Sequence, residues 1–448
     1  MVMTIARLVL AMMCVHLLGL GNGDLSAQVG ESDPQPLTTS EVAERFDQPG
    51  WRVVDVRDSN AFNGWILGDE LRGGHIRGAT NLSLAWMQTH LPAALRAVEL
   101  KRLKKNKVIL YGNAAGEAHQ MAGLLREQAH LSPKQIFIYT EGIEAWSRDS
   151  QLPMDKLPRY EKLVSPRWVH RLIEAGPLQD YRIVEVNWQD PQQFMAGHLP
   201  GAVYLDTNEI ESEPTWNVVS ADQLEATLLS LGITKNTRVI LYGRDTTAAA
   251  RAAVVMMYAG VSDVRLLNGG YQAWLDAGFP VEGGDVPRRP AIDFGGKIPL
   301  HPEWIVGAGR ATEVLAAQDG RLVSIRSWPE YIGQTSGYSY IKRKGRIRGA
   351  VWGHAGTDSS HMQDYRNPDN SLRDYHEITA NWRASDIARH NEISFYCGTG
   401  WRASEALFAA YLMGYEKISV YDGGWHEWSA NPTNPIATGA PPSTRNNR

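Results

Sequence analysis

VILYGNAAGEA at 108–118, VILYGRDTTAA at 239–249 and ISFYCGTGWRA at 393–403 are three versions of one pattern. Each runs through a short apolar stretch to a tyrosine, then a small residue, then a loop that leads into helix-forming sequence. Unbroken apolar runs of this length suit strands buried on both faces of a parallel sheet. Working outward, a second strand-like segment and a glycine-rich turn precede each version. These are VVDVRD with GGHIRGA (53–58, 73–79), RIVEVN with AGHLPGA (182–187, 196–202), and LVSIRS with GRIRGA (322–327, 345–350). A third feature follows each: EGIEAW (141–146), GGYQAW (269–274) and GGWHEW (423–428). The order never changes, so the chain is a threefold internal repeat.

Each repeat of roughly 120 residues can hold its own core, unlike a solenoid unit. Helical patterns such as ADQLEATLLSLG (221–232) and ASEALFAAYLMG (403–414) alternate with the strands. That alternation predicts an α/β fold: three tandem domains, each a mainly parallel sheet covered by helices on both faces. The expected domains span 37–155, 165–283 and 300–437. Linkers rich in Pro or Gly are expected at 152–167 and 279–302, and a loose tail at 431–448.

Composition excludes several classes. With 43% hydrophobic and 21% charged residues the chain can offset the entropy of folding, so it is not disordered. A net charge of −4 leaves no cationic surplus for nucleic-acid binding. Cys14 and Cys397 are the two cysteines, too few for a disulfide scaffold or a cysteine-rich zinc site. His354, Asp358, His361 and Asp364 cluster in sequence, but their spacing matches no zinc or EF-hand pattern, and no metal is assigned. Arg7 followed by LVLAMMCVHLLGL (8–20) and small residues reads as a signal peptide at 1–27, cleaved after Ala27 or Gly23. The apolar run is short for a span, which argues against membrane insertion after cleavage; an uncleaved anchor is the alternative. Export would leave Cys397 as the single cysteine in an oxidising compartment.

Aligning the strand ends sets Gly112, Gly243 and Cys397 at one position, and only the third can attack an electrophile. The first two repeats are therefore expected to be non-catalytic walls. In CGTGWRAS the strand ends at Tyr396 and a helix is expected from Ala403 or Ser404. Gly398 and Gly400 would permit positive φ, so that amides of Gly398, Thr399, Gly400, Trp401 and Arg402 turn inward. Such a cradle, the helix N-terminus and Arg402 would favour a thiolate at Cys397. Trp401 either walls the pocket or packs on a neighbouring domain.

The strand ending in Asp-Val-Arg, the GH-I/L-x-GA turn, the nucleophile position and the GGxxxW ending together resemble the rhodanese family of sulfurtransferases. The resemblance covers nearly the whole mature chain as three domains, and the three-domain periplasmic thiosulfate sulfurtransferases of bacteria are similar throughout. It implies a periplasmic enzyme that takes the outer sulfur of thiosulfate as a persulfide on Cys397, releases sulfite, and passes the sulfur to cyanide or a thiol. It implies no metal or organic cofactor, and it leaves the oligomeric state open, with a monomer compatible. In the same resemblance Arg326 approaches the active loop to hold an anion with Arg402; an ion pair or carbonyl clamp is the structural alternative, since Arg57 stands there in a repeat without a nucleophile. Ser324 replaces the Asp55 of the first repeat, which predicts a more positive pocket. Three alternatives stay open: 3-mercaptopyruvate as donor, a non-catalytic sulfur carrier or scaffold, and a cysteine phosphatase. The last is disfavoured because only four residues separate Cys397 from Arg402. The polar stretch at 354–374, longest in the third repeat, is expected to overhang the Cys397 pocket in part.

Overall fold

The unalternated apolar runs become central strands, and they do so identically in each repeat. The computed structural model describes residues 33–176 and 181–442; the proposed signal segment lies outside them. In the first repeat the parallel strands lie in the order Gln35–Leu37, Ile136–Tyr139, Lys107–Tyr111, Trp51–Asp55, Thr80–Asn81. The second repeats this with Leu163–Val164, Asp263–Leu267, Arg238–Tyr242, Tyr181–Asn187 and Val203–Asp206. The third uses Ile305–Val306, Ile418–Tyr421, Glu392–Tyr396, Gly320–Ser324 and Val351–Trp352. Helices flank each sheet, so the fold is α/β, as expected.

The recurring sequence features are recurring bonds. The strand-end tyrosine hydroxyl accepts an amide of the glycine-rich turn each time: Ile76 to Tyr111 at 3.2 Å, Leu199 to Tyr242 at 3.0 Å, Ile347 to Tyr396 at 3.4 Å. The GGxxxW helices hold the loop after the strand. Ile143 N donates to Gly112 O at 3.1 Å, Tyr271 N to Gly243 O at 3.1 Å, and Trp425 N to Cys397 O at 2.8 Å. A side chain on Gly424 (φ +53°) would meet the Cys397 carbonyl oxygen at 2.9 Å, so the close approach demands glycine there.

The second and third repeats share one continuous apolar core. Helices Thr246–Ala259 and Trp401–Leu412, which follow the equivalent loops, pack on each other. Their alanines allow the close approach: Ala249, Ala252 and Ala253 on one, Ala406, Ala409 and Ala410 on the other, all buried. The first repeat keeps separate clusters of its own.

One expectation about connecting chain needs correction, that of a loose tail, and both linkers are packed. In the linker 152–167, Leu157 is buried, and Arg159 donates to the carbonyl of Tyr411 in the third repeat. In 279–302, Phe294 and Ile298 are buried. The tail is tied down at its start, because Ile436–Ala437 pairs antiparallel with Arg346–Ile347. In each case side chains supply a core anchor that turn-forming composition conceals. Among the described residues, no helix is long and apolar enough to cross a membrane.

Candidate active site

Cys397 closes the strand Glu392–Tyr396 and is buried, 1% exposed. Its Sγ accepts the amide of Gly400 at 3.1 Å. Gly400 has φ +107° and caps the helix, which begins at Trp401, two residues earlier than the sequence suggested. Gly398 has a different role from the one expected. Its φ is ordinary, but a Cβ there would lie 2.2 Å from the Tyr338 ring. The loop thus needs one glycine for backbone conformation and another for space.

Arg402 and Arg326 are brought together by a residue that sequence reasoning missed, Glu330. Arg402 reaches both Glu330 oxygens at 2.9 Å, and Arg326 Nε lies 3.3 Å from Oε1. Burial opposes the Glu330 charge, yet Arg402 and then Arg326 outweigh it and hold the carboxyl at about 2. Arg326 also donates to the carbonyls of Gly345 at 2.7 Å and Ser336 at 2.9 Å, and its side chain is 0% exposed. It is therefore engaged as ion pair and carbonyl clamp, away from the pocket lining. The expected gain of positive charge from Ser324 is likewise offset: Glu330 supplies from the next turn the carboxylate that Asp55 supplies to Arg57 in the first repeat. The signal was present as a capping box, Ser327 with Glu330, four residues beyond Arg326.

Beside the loop that follows Cys397 lies a cavity of about 350 Å³, lined by Thr399, Trp401 and Arg402 of that loop. Tyr338, Tyr340, Ser359 and Ser360 line it from elsewhere in the third repeat. Ser359 and Ser360 belong to the long polar stretch, which therefore reaches the pocket. Its remainder is mortar: Met362 and Tyr365 are buried, Arg366 pairs with Glu405, and Leu372 N donates to Asn268 of the second repeat. His354 pairs with Asp364 and His361 with Asp358, as two separate contacts.

The opposite wall comes from the second repeat: Trp188, Glu211, Trp216, Asp245 and Thr247. Trp401 combines both its expected roles, lining the cavity while its Nε1 donates to Glu211 at 2.6 Å. Glu211 is also paired with fully buried Arg251 at 3.0 Å, and Arg251 reaches Asp422 of the third repeat at 2.6 Å. Burial raises the Glu211 carboxyl to about 7 against the pull of Arg251. Trp216 takes φ +61°, costly for a bulky residue, and its carbonyl accepts from Arg251 at 3.2 Å. None of this wall was visible in sequence, because nothing in the spacing links it to Cys397.

Three parallel sheets, one of which ends in a thiol cradled by a glycine loop, define a rhodanese. The family model for the rhodanese-like domain matches residues 38–149, 165–277 and 310–431, and the chain belongs to that family. Thiosulfate sulfurtransferase YnjE of Escherichia coli (strain K12) is 47% identical over 418 residues, covering 90% of this chain and 92% of that protein. Sulfur carrier protein TtuD of Thermus thermophilus is 31% identical over 287 residues, 62% of this chain and 97% of its own. Among solved structures, wild-type EanB is 40% identical with a TM-score of 0.85, covering 92% of this chain and 99% of EanB. An EanB variant with a cysteine persulfide and ergothioneine has a TM-score of 0.86 and covers 91% and 100%.

Proposed function

We propose that the protein is a thiosulfate sulfurtransferase working by a double displacement through Cys397. The Cys397 thiolate attacks the outer sulfur of thiosulfate, the S–S bond breaks, and sulfite leaves with the bonding pair. The persulfide stays on Cys397, where the Gly400 amide already points at sulfur. A thiol or cyanide then attacks the terminal sulfur and the thiolate is regenerated. Arg402 is the one cation lining the cavity among the described residues; Glu330, the Asp358 carbonyl and the Tyr338 hydroxyl hold its Nη1 and Nη2, and its charge supports binding of the sulfonate end there. The observation that carries the reading is a thiol at the loop position that is glycine in both other repeats. Incubation with thiosulfate followed by intact mass spectrometry tests it. A gain of one sulfur in the wild type, absent in Cys397→Ser, is expected; an equal gain in both overturns it.

The lining supports a second reading of the acceptor. Trp188, Trp216, Trp401, Tyr338 and Tyr340, with Glu211 and Asp245, suit an organic cation better than a bare anion. EanB structures hold hercynine and ergothioneine. Supplying hercynine to the persulfide form and assaying ergothioneine separates this acceptor from cyanide or a simple thiol.

The basic and apolar N-terminus supports export to the periplasm with removal of residues 1–27 or 1–23. N-terminal sequencing of protein from the periplasmic fraction tests that; full-length protein in the cytosol overturns it.

A further inference from the structure

We propose that His75, Asp155 and His376 form a Zn²⁺ site that joins the first and third repeats. One ligand atom from each lies within 4.8 Å of the other two. His75 and Asp155 face each other in a two-residue antiparallel pairing of the first repeat. His376 comes from the helix Tyr375–Ala384, which follows the long polar stretch of the third.

The hydrogen bonds around the cluster decide which ring nitrogens are free. His75 Nδ1 lies 2.8 Å from the carbonyl oxygen of Phe62. A carbonyl only accepts, so Nδ1 carries the proton and Nε2 offers its lone pair to the cluster. His376 Nδ1 lies 3.0 Å from Asp374 Oδ1, whose carboxylate also accepts the Asn81 amide at 3.1 Å. Nδ1 is again the donor and Nε2 the free base. A carbonyl behind one histidine and a carboxylate behind another are the outer partners that orient zinc-ligating imidazoles. His75 is further fixed by stacking on Phe62, with centroids 3.7 Å apart.

Comparison with the second repeat isolates what is new. There His198 bonds the Phe194 carbonyl at 2.9 Å, stacks on its ring, and bridges to Glu282, so the histidine–acid pair is part of the repeat's framework. Its Nε2 is buried without a partner among the described residues. Among the described residues, another domain brings a second imidazole only in the first repeat. His376 and Asp155 are both partly exposed, which leaves them room to close on an ion and leaves water the fourth position. Two contacts must yield. Arg77 Nε lies 3.3 Å from Asp155 and is 61% exposed, so it can swing into solvent. The Tyr375 hydroxyl, 3.4 Å from His75 Nε2, is a long and weak bond. Two imidazoles and one carboxylate are a donor set for zinc and not for magnesium or calcium, which take oxygen.

The test uses full-length Cys397→Ser protein, so that the active-site thiolate cannot bind metal, stripped with a chelator. Equilibrium dialysis against Zn²⁺ is expected to load one ion per chain, and Co²⁺ should give the visible absorption of a four-coordinate site. His376→Gln, at a partly exposed position, should weaken zinc binding at least about tenfold and remove the zinc-dependent rise in melting temperature. His361→Gln, on the exposed loop, should leave both unchanged. Equal affinity in the His376 variant, or no stoichiometric uptake by the Cys397→Ser protein, overturns the proposal.

Discussion

Arg402 donates from Nη1 to Oε2 and from Nη2 to Oε1 of Glu330, each at 2.9 Å, and both side chains are buried. The bidentate pair fixes the first turn of the helix that begins beside the nucleophile. Arg326 shares the same carboxylate, so two cations and one anion lie behind the loop. Removing one partner of such a group strands buried charge, which costs more than the group contributes as a whole.

Glu330→Gln is therefore expected to destabilise the protein by about 3–5 kcal/mol near neutral pH. The Glu330 carboxyl is depressed from 4.5 to about 2. A depressed acid contributes stability above its unfolded value and loses it as pH falls through the folded one. The wild type should thus lose about 3 kcal/mol from this group between pH 4.5 and about 2. Urea midpoints measured across that range check it; the variant should show a shallower decline.

Arg402→Lys keeps the charge but not the fork. Its kcat/KM for thiosulfate should drop by at least about tenfold while the fold survives, because an ammonium cannot hold both Glu330 oxygens. Circular dichroism and initial rates separate the two effects. Unaltered rates would mean that charge alone suffices at this position.

Gly398→Ala should lower sulfur transfer about a hundredfold, since the added methyl meets the Tyr338 ring 2.2 Å away and displaces the loop. The same substitution made in a Tyr338→Ala background should cost far less. Additive losses would show that the clash is not the cause.

Ser360→Tyr narrows the cavity from the polar stretch without touching Cys397. Persulfide formation from thiosulfate should survive, while discharge to a bulky thiol slows more than discharge to cyanide. Deleting the whole of 358–371 would be a poorer test, because Met362 and Tyr365 belong to the shared core.

The chain's own pattern was enough to determine the threefold repeat, the parallel sheets and the position of Cys397. Those properties are local: a buried strand must be apolar along its length, a crowded turn must be glycine, and a nucleophile must be a particular side chain at a particular strand end. Even the capping box carrying Glu330 was written in four consecutive residues. What walls the cavity beside the nucleophile's loop was decided by tertiary structure alone. Glu211, Trp188 and Trp216 reach the cavity because two alanine-lined helices pack the second repeat against the third. His376 meets His75 because one insertion spans the gap to the first repeat. Contacts between distant segments depend on how whole domains pack, and no periodicity or spacing within either segment encodes that.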